Sequence, residues 1–436
     1  MARGSTLQAR LTAGEGRVAV VGAGYVGLSV AAAAAVAGFA VTAIDRDEDR
    51  VRALARGRCV VAGVSKPAFR AGVVSGRLSF ATDFDAVSGA DVVLICVPTP
   101  LVDHRPDLSA VEAAARSVGE RLHPATLVVL ESTTYPGTTE QLVCPLLEAG
   151  GLRSGRDFLL AYSPERVNPG DTDFGFAAVP RVVGGHTEAA GDAAAAFYGH
   201  LVEEVHRVSS CRAAELAKLL ENTYRMVNIA LVNELAQLCA DQGIDTWEVI
   251  DAAATKPFGF QRFEPGPGVG GHCIPLDPAY LTWQTRRDTG RPFRLVELAA
   301  DVNDQMPDYV ARRIGDALNR RGIAVQGAHV LALGVTYKPD VGDIRESAAV
   351  HVLAHLAARG ADVRFHDPYV ARVDQKGLRL RRARLDDRAL ASADAVLLLT
   401  PHRAYDLPGI LEHASFVFDA RNATRHIDHD ADVEVL

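Results

Sequence analysis

The chain has 436 residues, of which 48% are hydrophobic and 23% charged, and its formal net charge is −8. This length exceeds one ordinary hydrophobic core and predicts roughly two to three domains, and the composition is that of a globular enzyme. The negative charge argues against nucleic acid or an anionic membrane as a partner, although an anionic substrate could still bind in a locally basic pocket.

The first sixteen residues are polar and contain glycine, and we expect residues 1–16 to be a flexible tail. The Ala-rich run from Ser29 to Val41 follows a strand and a glycine loop, contains Gly38, and is too short to span a bilayer. The six cysteines are scattered and form no CxxC pair, which indicates free thiols in a reducing compartment. We therefore expect a cytoplasmic protein.

Residues 17–207 alternate between short apolar runs and stretches with helical periodicity. The predicted strands are Arg17–Val21, Val41–Ile44, Asp91–Val97, Thr126–Leu130 and Phe158–Ala161, and the predicted helices include Val26–Ala37 and Leu108–Leu122. This alternation is typical of βαβ units in a doubly wound parallel sheet. It predicts an N-terminal Rossmann domain over residues 17–207.

The pattern becomes helical over residues 208–322. Apolar residues recur at helical spacing from Ala213 to Gln242, which predicts a helix roughly 45 Å long. A second helix is predicted from Leu295 to Asn319, after the Pro- and Gly-rich loop Glu264–Pro278. One monomer is not expected to bury every face of the long helix, so we predict a homodimer formed through this central domain.

The α/β alternation returns over residues 323–436. His329–Gly334, Asp362–His366 and Ala395–Thr400 are predicted strands, and Ala348–Arg359 is a predicted helix. The predicted fold class is therefore α/β, with two Rossmann-like doubly wound domains joined by a long central helix. We expect the active site in the cleft between the outer domains, because open α/β sheets bind ligands at such edges.

A glycine motif follows the first predicted strand. Gly22, Gly24 and Gly27 form GxGxxG between this strand and a helix, and Asp45 ends the next strand. These glycines allow the tight turn, the approach of the pyrophosphate and close helix packing, and the helix N-terminus favours phosphate. Asp45 would accept a ribose hydroxyl, which favours NAD over NADP, although the neighbouring Arg46 could hold a 2′-phosphate.

The loop Pro265–Pro278 surrounds Cys273 with glycine and proline, which points to an unusual backbone that something approaches closely. Cys273 could be a buried structural thiol, as we expect for the other cysteines. Beside a nicotinamide, however, a thiolate can add to an aldehyde, and the thiohemiacetal can lose a second hydride to become a thioester. Water would then release a carboxylic acid.

Seven ordered motifs carry a resemblance to a known family. They are Val18–Gly27, Cys96–Pro100, Glu131–Gly137, Ser163–Val167, Glu215–Asn222, Gly270–Pro275 and Tyr337–Ser347. Over a span from Arg17 to beyond Pro368, the chain resembles the nucleotide-sugar (UDP-glucose/GDP-mannose) 6-dehydrogenases. The resemblance implies NAD-dependent oxidation of the C6 hydroxymethyl group of a nucleotide-linked hexose in two hydride transfers.

The same resemblance implies roles for individual residues. Cys273 would be the nucleophile, Lys218 and Asn222 would hold the oxygen at C6, Asp277 would order water and assist base catalysis, and Glu165 and Thr134 would position water for thioester hydrolysis. The residues implied to contact NAD, besides the glycines and Asp45, are Tyr25, Val26, Arg50, Pro98, Thr99, Glu131 and Arg345. Those implied to contact the nucleotide sugar are Glu165, Arg166, Val167, Lys218, Asn222, Phe263, Gly270, Tyr337 and Lys338.

Some of these residues have simpler interpretations. A Lys–Asn pair on a helix is usually part of a solvated face, and Glu165 could form an ordinary loop ion pair. His272 is adjacent to Cys273, but neighbours in an extended segment point in opposite directions, so we expect a structural or sugar-contacting role. The histidines have no ligand spacing, and no metal is predicted.

The sugar remains open at the level of sequence. The form Gly-Gly-His-Cys-Ile-Pro resembles the branch that acts on UDP-N-acetylhexosamines more than the UDP-glucose branch, while glucose and dTDP-glucose stay as alternatives. Two rivals are a β-hydroxyacid dehydrogenase, which uses a lysine and one hydride transfer, and a catalytically silent nucleotide-sugar sensor. The Cys273 loop and the second α/β domain argue against the first, and the retained catalytic residues argue against the second.

Overall fold

The computed structural model describes residues 2–103, 105–167, 175–271 and 274–436, with side chains from residue 7 onward. The chain separates into two compact units, residues 1–221 and 222–436. The predicted central segment, residues 208–322, is therefore divided between the two units, and the division falls inside the longest helix.

The first unit alternates strands and helices as predicted. Its strands are β1 (Arg17–Val21), β2 (Ala40–Ile44), β3 (Leu78–Ala81), β4 (Val92–Ile95), β5 (Leu101–Val102), β6 (Arg105–Pro106), β7 (Leu127–Leu130), β8 (Leu159–Tyr162), β9 (Arg181–Gly185) and β10 (Val205–Val208). Its helices are α1 (Ala2–Thr12), α2 (Tyr25–Val36), α3 (Glu48–Ala55), α4 (Lys66–Val74), α5 (Ser109–Gly119), α6 (Cys144–Glu148) and α7 (Glu188–Tyr198), and α8 (Cys211–Gln242) begins here.

Eight of the described strands of this unit form one sheet in the order β10-β9-β8-β7-β4-β1-β2-β3. Strands β8, β7, β4, β1, β2 and β3 run parallel to one another, whereas β9 is antiparallel to β8 and β10 is parallel to β9. Strands β4 and β7 are buried at every position, which explains their continuous apolar runs. Because β9 runs in reverse, its first residue lies at the edge where the parallel strands end.

The expectation of a flexible tail over residues 1–16 was wrong. Helix α1 covers Ala2–Thr12, and its Leu7 and Leu11 side chains are buried in the core of the first unit. Arg10 forms an ion pair with Asp91 at 2.6 Å, and the Leu11 carbonyl is 2.8 Å from Nε2 of His200. The helix is stabilised by these partners, 81 and 189 residues away in the chain, which a local reading of a polar segment does not reveal.

Helix α8 is the predicted long helix, and it begins two residues earlier than expected, at Cys211. Several large apolar side chains on it are exposed: Leu216, Leu220, Tyr224, Leu231 and Leu238. Spacings of four and seven residues place them on one side of the helix.

The second unit contains the rest of α8 and a second α/β region. Its helices are α9 (Thr246–Ala254), α10 (Asp277–Thr289), α11 (Arg294–Arg320), α12 (Ala348–Ala358), α13 (Asp387–Ala391) and α14 (Leu407–His413). Its strands are β11 (His329–Leu333), β12 (Asp362–His366), β13 (Arg372–Gln375), β14 (Leu378–Arg381), β15 (Ala395–Leu398), β16 (Val417–Asp419) and β17 (Val433–Val435).

In the described residues of this unit a five-stranded parallel sheet has the order β12-β11-β15-β16-β17. Apolar residues of α11 and α12 cover one face of it, among them Ile314 and Leu353. The predicted fold class, with an α/β region at each end and a long helix between, is confirmed. No helix in the described part of the chain is both long and apolar enough to cross a membrane.

Candidate active site

The glycine motif has the geometry that a dinucleotide requires. Gly22 has a φ of +99°, and a side chain there would collide with the Cys96 carbonyl. A side chain at Gly27 would collide with the Gly22 carbonyl, whereas nothing lies within 4 Å of the position that a Cβ of Gly24 would take. Close packing at Gly22 and Gly27 and open space at Gly24, next to the start of α2 at Tyr25, fit a pyrophosphate.

Asp45 is buried at the end of β2, where its carboxylate is held from several sides. Oδ2 accepts hydrogen bonds from the Ala23 amide at 2.9 Å and from Arg50 Nη1 at 2.8 Å, and Oδ1 accepts from the Asp47 amide at 2.9 Å. The arginine beside Asp45 is therefore Arg50, and Arg46 is exposed. An oriented carboxylate one strand from the glycine loop fits a ribose hydroxyl of NAD.

Three further residues predicted to contact NAD follow the ends of β4 and β7. Thr99 is buried after β4, while Pro98 is exposed. Glu131 is buried directly after β7, and this burial, opposed by the nearby Arg181, raises the pKa of its carboxyl. Burial, together with the charge of Glu131, also raises the pKa of the Cys96 thiol well above its usual value. Cys96 is therefore a neutral core thiol, as expected.

A buried arginine that the sequence analysis missed joins two of the predicted site residues. Arg181, the first residue of β9, donates from Nη1 to Glu165 Oε2 at 2.9 Å, from Nη2 to Glu131, and from Nε to Ser163 Oγ at 3.0 Å. Glu165 is thus part of a buried network and not an ordinary loop ion pair. A signal was available, since an arginine among valines and glycines at a strand start needs buried anionic partners.

The other oxygen of Glu165 is held by the backbone. Oε1 accepts from the Arg166 amide at 2.9 Å and from the Val167 amide at 2.6 Å. The Arg166 side chain points elsewhere, donating to the Pro180 carbonyl at 2.6 Å and pairing with Glu221 at 2.8 Å. Both oxygens of the Glu165 carboxylate are therefore fixed.

Thr134 lies in the loop after β7 and is fully buried, and its hydroxyl has no hydrogen-bond partner among the described residues. The same loop is attached to α8 by Glu215, which accepts from the Gly137 amide at 2.5 Å and from the Thr139 amide at 2.9 Å. Burial raises the pKa of Glu215 to about 7.

Lys218, one turn along α8, is buried, so it does not belong to a solvated face.

Asn222, four residues after Lys218 on α8, is also buried. Its Nδ2 donates to Oδ2 of Asp277 at 2.5 Å, and Asp277 is the buried first residue of α10. Two of the residues predicted to be catalytic, 55 positions apart in the chain, are therefore in direct contact.

The loop Glu264–Pro278 is fixed to the helices of the second unit at its start. The Gly266 amide donates to Asn233 Oδ1 at 2.9 Å, Asn233 donates to Asn303 Oδ1 at 2.9 Å, and Asn303 donates to the Met226 carbonyl at 3.1 Å. This buried amide pair was not anticipated. Just before the loop, the ring of Phe263 lies edge-on to that of Tyr224, with 5.8 Å between centroids.

Further along, the loop packs against the segment Tyr337–Ser347. The Gly271 amide donates to the Arg345 carbonyl at 3.0 Å. A Cβ on Gly270 would lie 2.6 Å from the Glu346 carbonyl oxygen and 2.9 Å from Tyr337 Cβ, so only glycine fits there. Gly270 and Tyr337, both predicted to contact the substrate, are thus brought together. The Arg345 side chain is exposed and pairs with Asp343 at 2.6 Å.

Lys338 follows the end of β11, in a turn that a buried histidine supports. Thr336 Oγ1 donates to the Lys338 carbonyl at 2.9 Å, and the Asp340 amide donates to His402 Nδ1 at 2.9 Å. This leaves Nε2 of His402 to carry the proton toward Asp367 at 3.0 Å. Burial alone would raise the pKa of the Asp367 carboxyl, but hydrogen bonds from His402 and from the Val335 and Tyr369 amides keep it below its usual value. Neither His402 nor Asp367 was among the predicted site residues.

His272 and Cys273 lie outside the described residues, so their predicted roles remain predictions. Before this pair in the chain, the Gly271 amide is bonded to the Arg345 carbonyl, and after it Asp277 is in contact with Asn222. The other cysteines are free thiols, with Cys96, Cys144, Cys211 and Cys239 buried and Cys59 half-buried.

Three domain models of one family match the chain in order. They are the NAD-binding domain of the UDP-glucose/GDP-mannose dehydrogenase family over residues 16–202, its central domain over residues 212–305 and its UDP-binding domain over residues 331–426.

Similar proteins include protein CapL of Staphylococcus aureus, 37% identical over 93% of this chain and 95% of its own length. A UDP-N-acetyl-D-glucosamine 6-dehydrogenase of Pseudomonas aeruginosa is 37% identical over 82% of this chain and 84% of its own. Among solved structures, the UDP-D-ManNAc dehydrogenase of Pyrococcus horikoshii superposes with a TM-score of 0.87, at 32% identity, covering 96% of this chain and 98% of that one.

Proposed function

Because the chain belongs to the UDP-glucose/GDP-mannose dehydrogenase family and is an NAD-dependent nucleotide-sugar dehydrogenase, we propose that it oxidises C6 of a UDP-N-acetylhexosamine to the carboxylate. The four-electron reaction would proceed through a thioester on Cys273. The names of the similar proteins support the N-acetylhexosamine, since those from Pseudomonas aeruginosa and Pyrococcus horikoshii are named for UDP-N-acetylglucosamine and UDP-N-acetylmannosamine. UDP-glucose and dTDP-glucose are the alternatives that the experiment must separate.

NAD, when bound, accepts the hydride in each oxidation. In the first, the C6–H bond breaks as the hydroxyl proton leaves, and an aldehyde forms. The thiolate of Cys273 then adds to the aldehyde carbon, and the resulting thiohemiacetal loses its C6 hydrogen as the second hydride and its hydroxyl proton to water. Finally, water adds to the thioester, the C–S bond breaks, and the acid and the Cys273 thiolate are released.

Lys218 and Asn222 would bind the C6 oxygen, where their N–H groups stabilise the negative charge that develops on it. The contact between Asn222 and Asp277 supports this assignment, because the carboxylate accepts one amide hydrogen and orients the amide. Asp277 is then adjacent to the C6 oxygen, where it can order water and accept the proton. Asn222 and Asp277 are both buried, and electrostatic interactions are stronger there than in water.

Glu165 and Thr134 would position the water that hydrolyses the thioester. Glu165 is ready for this role because Arg181 and two backbone amides fix both of its oxygens. The Thr134 hydroxyl is buried and, within the described residues, is not engaged by another group. A fixed carboxylate that accepts the proton of a water is a general base, a role worth typically 10²–10⁴-fold in rate.

The single observation that carries this proposal is the hydrogen bond from Asn222 to Asp277. It joins the helix that also bears Lys218 to the residue four positions after Cys273 in the chain. A β-hydroxyacid dehydrogenase with one hydride transfer would need neither the cysteine nor the UDP-binding domain that matches residues 331–426.

The test is to measure NADH formed per sugar consumed, with NAD and each of UDP-N-acetylglucosamine, UDP-N-acetylmannosamine, UDP-glucose, GDP-mannose and dTDP-glucose. We expect a ratio of about two, with the highest kcat/KM for one of the two N-acetylhexosamines. A ratio of one would refute the double oxidation. A ratio of two with the highest kcat/KM for UDP-glucose or dTDP-glucose would retain the chemistry and refute the substrate.

We also propose that the enzyme is a homodimer formed through α8. Leu220 and Leu231 are 62% and 63% exposed, and they share one side of the helix with Leu216, Tyr224 and Leu238. A stripe of this kind on a monomer costs free energy in water, and a second copy of the same helix would remove it from solvent.

A further inference from the structure

Arg181 is almost completely buried, and its guanidinium group makes polar contacts on each of its three nitrogens. Nη1 and Nη2 donate to Glu165 and Glu131, and Nε donates to the hydroxyl of Ser163. The guanidinium carbon lies 5.0 Å from the ring centroid of Tyr198, whose hydroxyl donates to the second oxygen of Glu131. The side chain is therefore held in a single orientation.

The topology of the sheet explains how these residues meet. Glu131 follows β7, and Ser163 and Glu165 follow β8, so all three lie beyond the carboxyl ends of neighbouring parallel strands. Strand β9 is antiparallel to β8, and its first residue, Arg181, therefore lies at the same edge. This is the edge at which doubly wound sheets bind their ligands.

The charges of the cluster depend on the arginine. Burial alone would lower the pKa of the Arg181 guanidinium, but Glu131 and Glu165 raise it well above its usual value, so the group stays charged. Without it, two buried carboxylates would face each other with no cation between them. Two buried carboxylates that now contact one guanidinium group cannot both remain ionised without it. One of them would take up a proton or move away.

We propose that Arg181 is a positioning residue of the reaction, which holds the Glu165 carboxylate for thioester hydrolysis and the Glu131 carboxylate for the cofactor. This inference rests on the proposed function. Arg181 acts through the two carboxylates and does not need to touch the substrate. The planar guanidinium group of an arginine is required, because it donates to two carboxylates at once. A lysine carries a single, compact ammonium charge and cannot replace it.

At saturating NAD, the consequence for turnover falls on one step. Both hydride transfers precede hydrolysis of the Cys273 thioester, so slow hydrolysis leaves them intact. An enzyme with a misplaced Glu165 releases two equivalents of NADH per active site in a rapid burst and then turns over slowly, with Cys273 acylated. A loss of folded protein would instead reduce the burst and the steady rate together.

The experiment compares wild type, Arg181→Lys and Arg181→Met with the UDP-sugar that the wild type oxidises best. Rapid-mixing absorbance gives the burst and the steady rate, and intact-protein mass gives the fraction of Cys273 that carries the sugar. We expect the steady rate to fall at least about tenfold in Arg181→Lys and further in Arg181→Met, because a displacement of about 1 Å can cost about 100-fold. The burst stays near two, the acyl adduct accumulates, and the KM for NAD rises several-fold.

The matched control is Arg207→Lys, which changes a half-exposed arginine on the adjacent strand β10 that pairs with Asp192. It should leave the burst and the steady rate unchanged. An Arg181→Lys enzyme with wild-type kinetics, or one in which burst and steady rate fall in parallel, overturns the proposal. A wild type that yields one NADH per sugar refutes the proposed function, and with it the role given to Arg181.

If neither Arg181 variant folds, Ser163→Ala decides, because it removes the acceptor of Nε without changing a charge. The same kinetic signature in a milder form, with a several-fold slower steady rate and a full burst, supports the role of Arg181. A steady rate equal to that of the wild type overturns it.

Discussion

The side-chain amide of Asn222 donates a hydrogen bond to the carboxylate of Asp277, with 2.5 Å between Nδ2 and Oδ2. The contact brings together a mid-helix residue and a helix-start residue, and burial of both leaves little water to replace it. We expect Asp277→Asn to lower kcat by about 100-fold or more, because the variant cannot accept a proton. Steady-state rates, with NAD affinity measured by titration, test this.

The matched control for that variant is Asp288→Asn, on the same helix α10 but at an exposed position that pairs with Arg287. It should retain wild-type kcat. Comparable losses in the two variants would show that the effect comes from the helix as a whole and not from the contact with Asn222.

Cys273→Ser should bind NAD and the nucleotide sugar with nearly wild-type affinity and should lose the four-electron oxidation. A hydroxyl is a much weaker nucleophile than a thiolate, so no thioester would form. Product analysis and NADH yield measure this, and the half-buried Cys59→Ser serves as the control. Acid formation by Cys273→Ser at the wild-type rate would exclude the covalent mechanism.

Glu215 predicts a pH dependence of stability. Its pKa in the folded chain is about 7, compared with an ordinary value of 4.5. Its stabilising contribution is therefore fully present below pH 4.5 and is lost as the pH rises toward 7, because the unfolded chain ionises first. At about 1.4 kcal/mol per pH unit, the loss is on the order of 3 kcal/mol.

Glu215→Gln resembles the protonated acid in shape and does not ionise, so it should lack this loss. Denaturant unfolding at pH 5 and pH 7.5 measures it as a difference between wild type and variant. Glu120→Gln, which removes an exposed carboxylate paired with Arg121, is the control and should follow the wild type. Parallel pH profiles for wild type and Glu215→Gln would contradict the prediction.

Asp45→Ala should weaken NAD selectively. A hydrogen bond to a charged group contributes about 1.5–3 kcal/mol, so the KM for NAD should rise between about ten- and a hundred-fold. Use of NADP should improve, because the carboxylate no longer repels a 2′-phosphate and Arg50 loses one of its two carboxylate partners. The control is Asp49→Ala, at a position on α3 that is 92% exposed, and it should change neither the KM for NAD nor that for NADP. An unchanged KM for NAD in Asp45→Ala would show that the ribose does not bind at Asp45.

Leu231→Arg should convert the proposed dimer to a monomer, since it places a charge in the centre of the exposed stripe of α8. Light scattering after size exclusion measures the mass. The control is Val74→Arg, which changes an 80% exposed apolar residue at the end of α4 and should leave the mass unchanged. A wild type that elutes as a monomer would refute the interface directly.

Much of the fold followed from local sequence. Strands β1 and β12 have the predicted ends, and α8 and α11 differ from prediction by one or two residues at their ends, because apolar periodicity is a property of consecutive residues. Helix α1 was missed because prediction from consecutive residues does not see contacts with distant ones. Its two buried leucines span a single helical turn in a short segment, and its partners Asp91 and His200 are remote in the chain.

The sequence by itself determined the class of site, since the glycine loop, the motif around Lys218 and the loop around Cys273 are each contiguous and each need particular residue types. Only the tertiary structure decided which charges meet. Arg181 reaches Glu131 and Glu165 because β9 runs antiparallel to β8, and Asn222 reaches Asp277 because α10 begins beside α8. Strand direction and helix placement come from packing among distant residues, and no local pattern of charges specifies them.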